Sequence, residues 1–162
     1  MRIINRINIH CTASRVGRAY TVEDIDRDHK ARGFGAGASR SCGYHYVIYA
    51  DGTVHKGRRE DEIGANAAGY NSNSIGIVYV GGLDAAGKPQ DTRTQAQKAA
   101  LAALVRDVAG RHKVPPSRIL GHRDLSPDKN GNGRVDPFEW TKQCPCFDVQ
   151  PEVAAGLLEA DP

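Results

Sequence analysis

Residues 74–82, SIGIVYVGG, constrain the fold more than any other stretch, because both faces of this segment are apolar. A strand apolar on both faces has to be covered on both, which places it in the middle of a sheet with helices on either side. The cover is legible elsewhere in the chain. Between Thr94 and Lys113, Ala96, Ala99, Ala100, Ala103, Leu104 and Val108 recur at helical spacing and predict a long helix. Thr21 followed by Asp24, with Val22 and Ile25 behind, forms a capping-box start, and Gly33 supplies a stop, so a second helix is predicted near 22–32. A terminal helix is expected from Pro151 to Glu159.

Other strands follow from alternation. Arg2 to His10 reads as a strand with Ile3, Ile7 and Ile9 on one face and Asn8 and His10 on the other, so His10 sits at its end, away from the isoleucines. YHYVIY and TVHKGR flank Ala50-Asp51-Gly52, a hairpin signal, and Arg118 to His122 is a short strand. The Gly- and Ser-rich stretch 33–43 lacks periodicity and reads as a mobile loop. With 162 residues the chain has room for one domain and a real core. The expected architecture is α/β: a single domain over 1–162 with a central mixed β-sheet flanked by α-helices.

Charge and composition exclude several function classes. A formal charge of +3, without any basic run, favours anionic partners mildly but is too diffuse for nucleic acid. No segment approaches the roughly 20 apolar residues needed to cross a bilayer, and the N-terminus MRIINRINIH lacks a signal-peptide core. The expectation is a monomer made in the cytoplasm without stable membrane association. Four cysteines, Cys11, Cys42, Cys144 and Cys146, are too few and too unevenly spaced for a disulfide framework, and one is better used as a metal thiolate.

That metal is suggested by His10 in IHCTAS, His122 in GHRDLSP and Cys144 in TKQCPCFDV. Zinc prefers imidazole nitrogen and thiolate sulfur, and a catalytic site keeps three protein ligands and one open position. Each residue alone is a weak signal, since a lone His or Cys is usually structural. His29, His45, His55 and His112 have no comparable context.

Together the segments IHCTAS, GYHYVIYADGTVHKGR, GYNSNSIGIVYVGG, GHRDLSP and KQCPCFD, in this order from about Arg2 to Asp148, resemble the zinc N-acetylmuramoyl-L-alanine amidases and the related peptidoglycan-recognition proteins. The resemblance implies hydrolysis of the amide between N-acetylmuramic acid and L-alanine in peptidoglycan, on the bacterial wall after release by lysis or secretion. It implies Tyr44 and Lys142 as catalytic helpers and, through the register Lys142-Gln143-Cys144-Pro145, Cys144 over Cys146 as the ligand. Groove residues are expected at Arg58, Asn66, Asn71 and Asn73, with Asn66 standing where relatives often carry histidine. For Asn71 the alternative is turn chemistry before the central strand. Many relatives carry Trp where this chain has Asp28. The rival function is a recognition module that binds peptidoglycan without cutting it; such modules characteristically lose the cysteine ligand. A zinc deaminase is excluded by the missing HxE and PCxxC pair.

A second metal candidate lies between His122 and Cys144. DKNGNGRVDPFE fits the EF-hand loop with Asp128, Asn130, Asn132, the Arg134 carbonyl, Asp136 and Glu139 as calcium ligands and Gly133 at the sharp turn. The other reading of 128–139 is a polar insertion rich in Asn and Gly. Pro127 stands where an entering helix should end, and a single loop without paired helices does not make a calcium sensor.

Overall fold

The doubly apolar segment forms strand β5 (Ser74–Tyr79), which occupies the middle of the main sheet, as its two apolar faces require. A computed structural model describes residues 1–158; Glu159, the expected end of the last helix, lies outside the described residues. The elements run β1 (Arg6–Cys11), β2 (Ser14–Arg15), α1 (Val22–Ala31), β3 (Tyr46–Ile48), β4 (Val54–Lys56), β5 (Ser74–Tyr79), β6 (Gly82–Leu83), α2 (Gln95–His112), β7 (Ile119–Gly121) and α3 (Val149–Ala154). The main sheet has five strands in the order β4-β3-β5-β1-β7, and β2 pairs with β6 separately. β3, β5, β1 and β7 are parallel neighbours, while β3 and β4 form the antiparallel hairpin.

Alternation along the strands divides the interior in two. Ile7, Ile9, Ile75, Ile77 and Ile119 pack against Leu101, Val105 and Val108 of α2 and Val149 and Val153 of α3. Val47, Val78 and Val80 face the other way, against Val22 and Ile25 of α1. Burying each such side chain contributes about 1.5–3 kcal/mol, so a charge at Val78 or Ile77 would unmake one layer. The α/β layering therefore follows directly from the period-2 pattern of β5 and β1.

Three local expectations are corrected. β1 begins at Arg6 rather than Arg2, so Ile3 is 77% exposed and Ile4 enters the core instead. On α2 the buried face is Gln97, Leu101, Val105, Val108 and Ala109, whereas Ala96, Ala99 and Ala103 are exposed. Alanine supplies helical spacing without enough apolar area to choose the inward side; the larger Leu and Val decide it. The 33–43 stretch has no regular structure but is tied down. Arg58 donates to the carbonyls of Arg40 and Ser41, Ser39 bonds Glu62, and the Cys42 amide donates to Asp26.

Both long helices start where expected. Thr21 and Asp24 cap α1 reciprocally, and Thr94 and Gln97 do the same for α2. Gln97 also donates to the carbonyls of Ile48 and Val80, pinning α2 to the strand ends. Gly52 in the β3–β4 turn has φ +86°, a conformation that costs glycine least.

Candidate active site

The site forms at the carboxyl ends of β1 and β7, where ligands usually bind in open parallel sheets. Ile9 pairs with Gly121, so the residues that follow each, His10 and His122, emerge side by side with ring centroids 4.7 Å apart. Cys144 arrives from the segment that packs over Gly121: a Cβ there would lie 2.8 Å from the Pro145 ring, so only glycine permits the approach. Arg123 fastens this segment. Its backbone N–H donates to the Cys144 carbonyl at 2.9 Å, and its guanidinium reaches the Gln143 carbonyl and Asp148 and lies over the Trp140 ring.

His10, His122 and Cys144 present ligand atoms all within 4.8 Å of one another, the only such group of His, Cys, Asp and Glu among the described residues. His10 Nδ1 stands 3.8 Å from the Cys144 sulfur. Two ligands of a tetrahedral zinc, one sulfur and one nitrogen, stand about 3.6 Å apart, so the donor set and its spacing fit that metal. Burial drives His10 well below its ordinary pKa, with the neighbouring His122 adding to the effect. Burial and then the Lys142 charge bring His122 down to about 4. Both imidazoles are thus neutral near pH 7 and carry free lone pairs. The Cys11 N–H points at the Cys144 sulfur at 3.2 Å.

Above the ligands opens a cavity of about 620 Å³, walled by Tyr44, Asn66, Asn71, His122, Lys142 and Cys144 among others. The Tyr44 ring lies 5.2 Å from His10 and 5.5 Å from His29. Burial first, and then electrostatic interaction with Cys144, pushes the Tyr44 phenol upward, so it stays a proton donor at neutral pH. Lys142 is exposed at the rim.

A family model described as N-acetylmuramoyl-L-alanine amidase matches residues 1–145. The chain belongs to that amidase family. An endolysin of Enterobacteria phage K11 is 35% identical over 150 residues, covering 93% of this chain and 85% of the phage protein. The endolysin of Escherichia phage T7 is 33% identical over 144 residues, 89% of this chain and 82% of its own length. Among solved structures, the amidase LysC from Clostridium intestinale URNW aligns with a TM-score of 0.69 at 28% identity, covering 96% of this chain and 86% of that one. Drosophila PGRP-LB shares the fold, with a TM-score of 0.68 at 21% identity over 99% of this chain and 85% of its own.

Within this amidase fold the expected groove residues separate. Asn71 lines the cavity, but its Oδ1 accepts from the backbone N–H groups of Asn66 and Ala67, each at 3.0 Å. Arg58 is 5% exposed, lies outside the cavity wall and directs its guanidinium at the carbonyls of Arg40, Ser41 and Ile63. Asn73 bonds Asn5, also away from the cavity. Cys146 stands 3.9 Å from Cys11 and donates to the Gly82 carbonyl, outside the ligand group.

Two residues were missed by sequence reasoning. His29 lines the cavity, with Nδ1 accepting the Gly43 N–H at 2.8 Å; its place in the last turn of α1, beside a glycine-rich return, was the available signal. Arg123, inside GHRDLSP, had no signal separating it from a surface cation.

The 128–139 insertion is arranged differently. Asp128 accepts from the N–H groups of Gly131 and Gly133, and the buried Glu139 accepts from those of Lys129, Asn130 and Asp136. Asp136 accepts from the side-chain amides of Asn130 and Asn132, and the side-chain carbonyl of Asn132 accepts the Arg134 N–H.

Proposed function

We propose that this chain is a zinc-dependent peptidoglycan amidase cutting the bond between the lactyl carbonyl of N-acetylmuramic acid and L-alanine. The observation that carries this reading is the convergence of His10, His122 and Cys144 beneath a cavity that also holds Tyr44 and Lys142. The family and the endolysin relatives support the substrate; the nitrogen, nitrogen and sulfur donor set supports the metal.

When bound, zinc supplies a Lewis acid that polarises the scissile carbonyl and acidifies water. The chain's own groups supply the rest. His10 and His122, kept neutral by burial, are ready to ligate at physiological pH. The protonated Tyr44 phenol donates a hydrogen bond to the carbonyl oxygen as negative charge grows there. The Lys142 ammonium offsets the same charge from the rim. Removal of one preorganised donor of this kind typically costs about 3–4 kcal/mol of barrier.

Digestion of purified sacculi followed by mass spectrometry tests the reading. Free stem peptides beginning with L-alanine, with glycan strands left whole, are the expected products. New reducing ends without peptides would mean a glycosidase. Tight retention on sacculi without any product would mean a recognition module.

For the insertion, calcium binding at Asp128, Asn130, Asn132, Arg134, Asp136 and Glu139 is proposed from the order of residue types alone. The site of action is the bacterial wall, reached after lysis or secretion.

A further inference from the structure

Asn66 lines the cavity, but its side-chain amide is engaged by the protein itself. Its Oδ1 lies 3.0 Å from His10 Nε2, its Nδ2 donates to the Gly43 carbonyl at 3.0 Å, and its backbone N–H is taken by Asn71. The side-chain amide lies between two glycines: a Cβ on Gly76 would come within 2.4 Å of Asn66 Nδ2, and one on Gly64 within 2.5 Å. Such close walls hold the amide plane in place.

The orientation of that plane has a chemical consequence. A carbonyl only accepts, so Gly43 O demands the NH₂ end of Asn66, and the oxygen end must then face His10. An oxygen facing Nε2 requires Nε2 to carry the proton. The Nδ1 lone pair is thereby left free, and Nδ1 is the atom that faces Cys144 at 3.8 Å. The chain of bonds continues backwards, since the Gly43 N–H donates to His29 Nδ1 at 2.8 Å. Helix α1 and the peptide preceding Tyr44 are thus linked to the metal ligand through one amide side chain.

We infer that Asn66 is a positioning residue that fixes His10 in the Nε2–H tautomer and aims its Nδ1 at the metal. The inference rests on the zinc reading above and deepens it. Groups that orient a metal-binding histidine are commonly worth roughly 10- to 100-fold in metal affinity. Asn66→Leu, of similar size but without an acceptor, should therefore weaken zinc binding by about that factor. Asn66→Asp keeps an acceptor facing Nε2 and should stay within about threefold of the parent, a ranking that packing alone does not produce.

The test is chelator competition for zinc on the folded parent and both variants, with metal-free melting temperatures alongside. Nitrogen-15 NMR of the metal-free parent reads the His10 tautomer directly, even should the variants fold poorly. Loss in Asn66→Leu with retention in Asn66→Asp, and an Nε2–H His10 in the parent, is the expected result. Equal losses in the two variants, unchanged affinity in Asn66→Leu, or an Nδ1–H tautomer in the parent would each overturn the inference. All readouts omit peptidoglycan, so a zinc-loaded protein that frees no stem peptide would count against the amidase reading alone.

Discussion

The two metal candidates of this chain differ in where their donors point. The His10, His122 and Cys144 group is assembled from residues far apart in sequence, and its donor atoms converge within 4.8 Å. The 128–139 loop has every residue type of a calcium site, yet the Asp128 and Glu139 carboxylates are turned onto the loop's own N–H groups. A metal site needs donor lone pairs aimed at one common point. At the first site the protein engages the far nitrogen of His10 through Asn66 and leaves the near one open. In the insertion the loop's own N–H groups take part of what the Asp128 and Glu139 oxygens offer.

The comparison breaks first at zinc content. Cys144→Ser should lower bound zinc from about one per chain toward none, while Cys146→Ser should leave it nearly unchanged, as elemental analysis would read. The reverse ranking would move the site to the wrong sulfur. Next in size, Tyr44→Phe and Lys142→Ala should keep zinc and fold but lose about 100-fold or more in turnover on sacculi. Parent-like rates in both variants would leave the cavity wall without a chemical role.

Acid should distinguish the two regions as well. His45, buried behind the site with Nδ1 accepting the Gly76 N–H, is lowered by burial from 6.5 to about 4. Because the unfolded chain binds that proton first, stability is full above pH 6.5 and falls as the pH drops toward 4. Melting temperatures across that range should decline in the parent and less steeply in His45→Asn, with His10 and His122 keeping part of the slope; parallel curves would remove His45 from the account.

Smaller effects belong to the insertion. Glu139→Ala leaves three N–H groups without their acceptor and should cost about 1–3 kcal/mol in chemical denaturation, without calcium present and with zinc content unchanged. A calcium-free cost near zero would mean that the loop's hydrogen bonds hold little. Smallest of all, millimolar calcium should add only about 0.4–1.4 kcal/mol if its dissociation constant is near 10⁻⁴–10⁻³ M. Calorimetry that detects no heat at millimolar calcium would reduce the insertion to a polar loop.

Where a feature depends on neighbours in sequence, it was legible. The Thr21 and Asp24 capping box, the Ala50-Asp51-Gly52 turn and the doubly apolar β5 all appear where their residue types put them. That His10, His122 and Cys144 come together was legible from the motifs around them, IHCTAS, GHRDLSP and KQCPCFD, rather than from any one residue. Long-range hydrogen bonding was not. Asn66 meets His10 across 56 positions, and Arg58 meets the carbonyls of Ile63, Ser41 and Arg40. An amide or guanidinium suits a groove and a backbone carbonyl equally well, and only the folded path selects between them. The alanine-rich α2 misled for the opposite reason, being almost equally apolar around its circumference.

The position of β1 has a consequence for synthesis. This first strand is hydrogen-bonded between β5 and β7, partners that begin 68 residues and 112 residues later in register. During translation the amino-terminal segment therefore waits for its first sheet neighbour until Tyr79 has left the ribosome and for its second until Gly121 has, and His10 waits longer still for Cys144. Pairing over such separations is slow to close. A nascent fragment stopped before Cys144 lacks one member of the His10, His122 and Cys144 group, so the cluster can assemble only after nearly all of the sheet has been made.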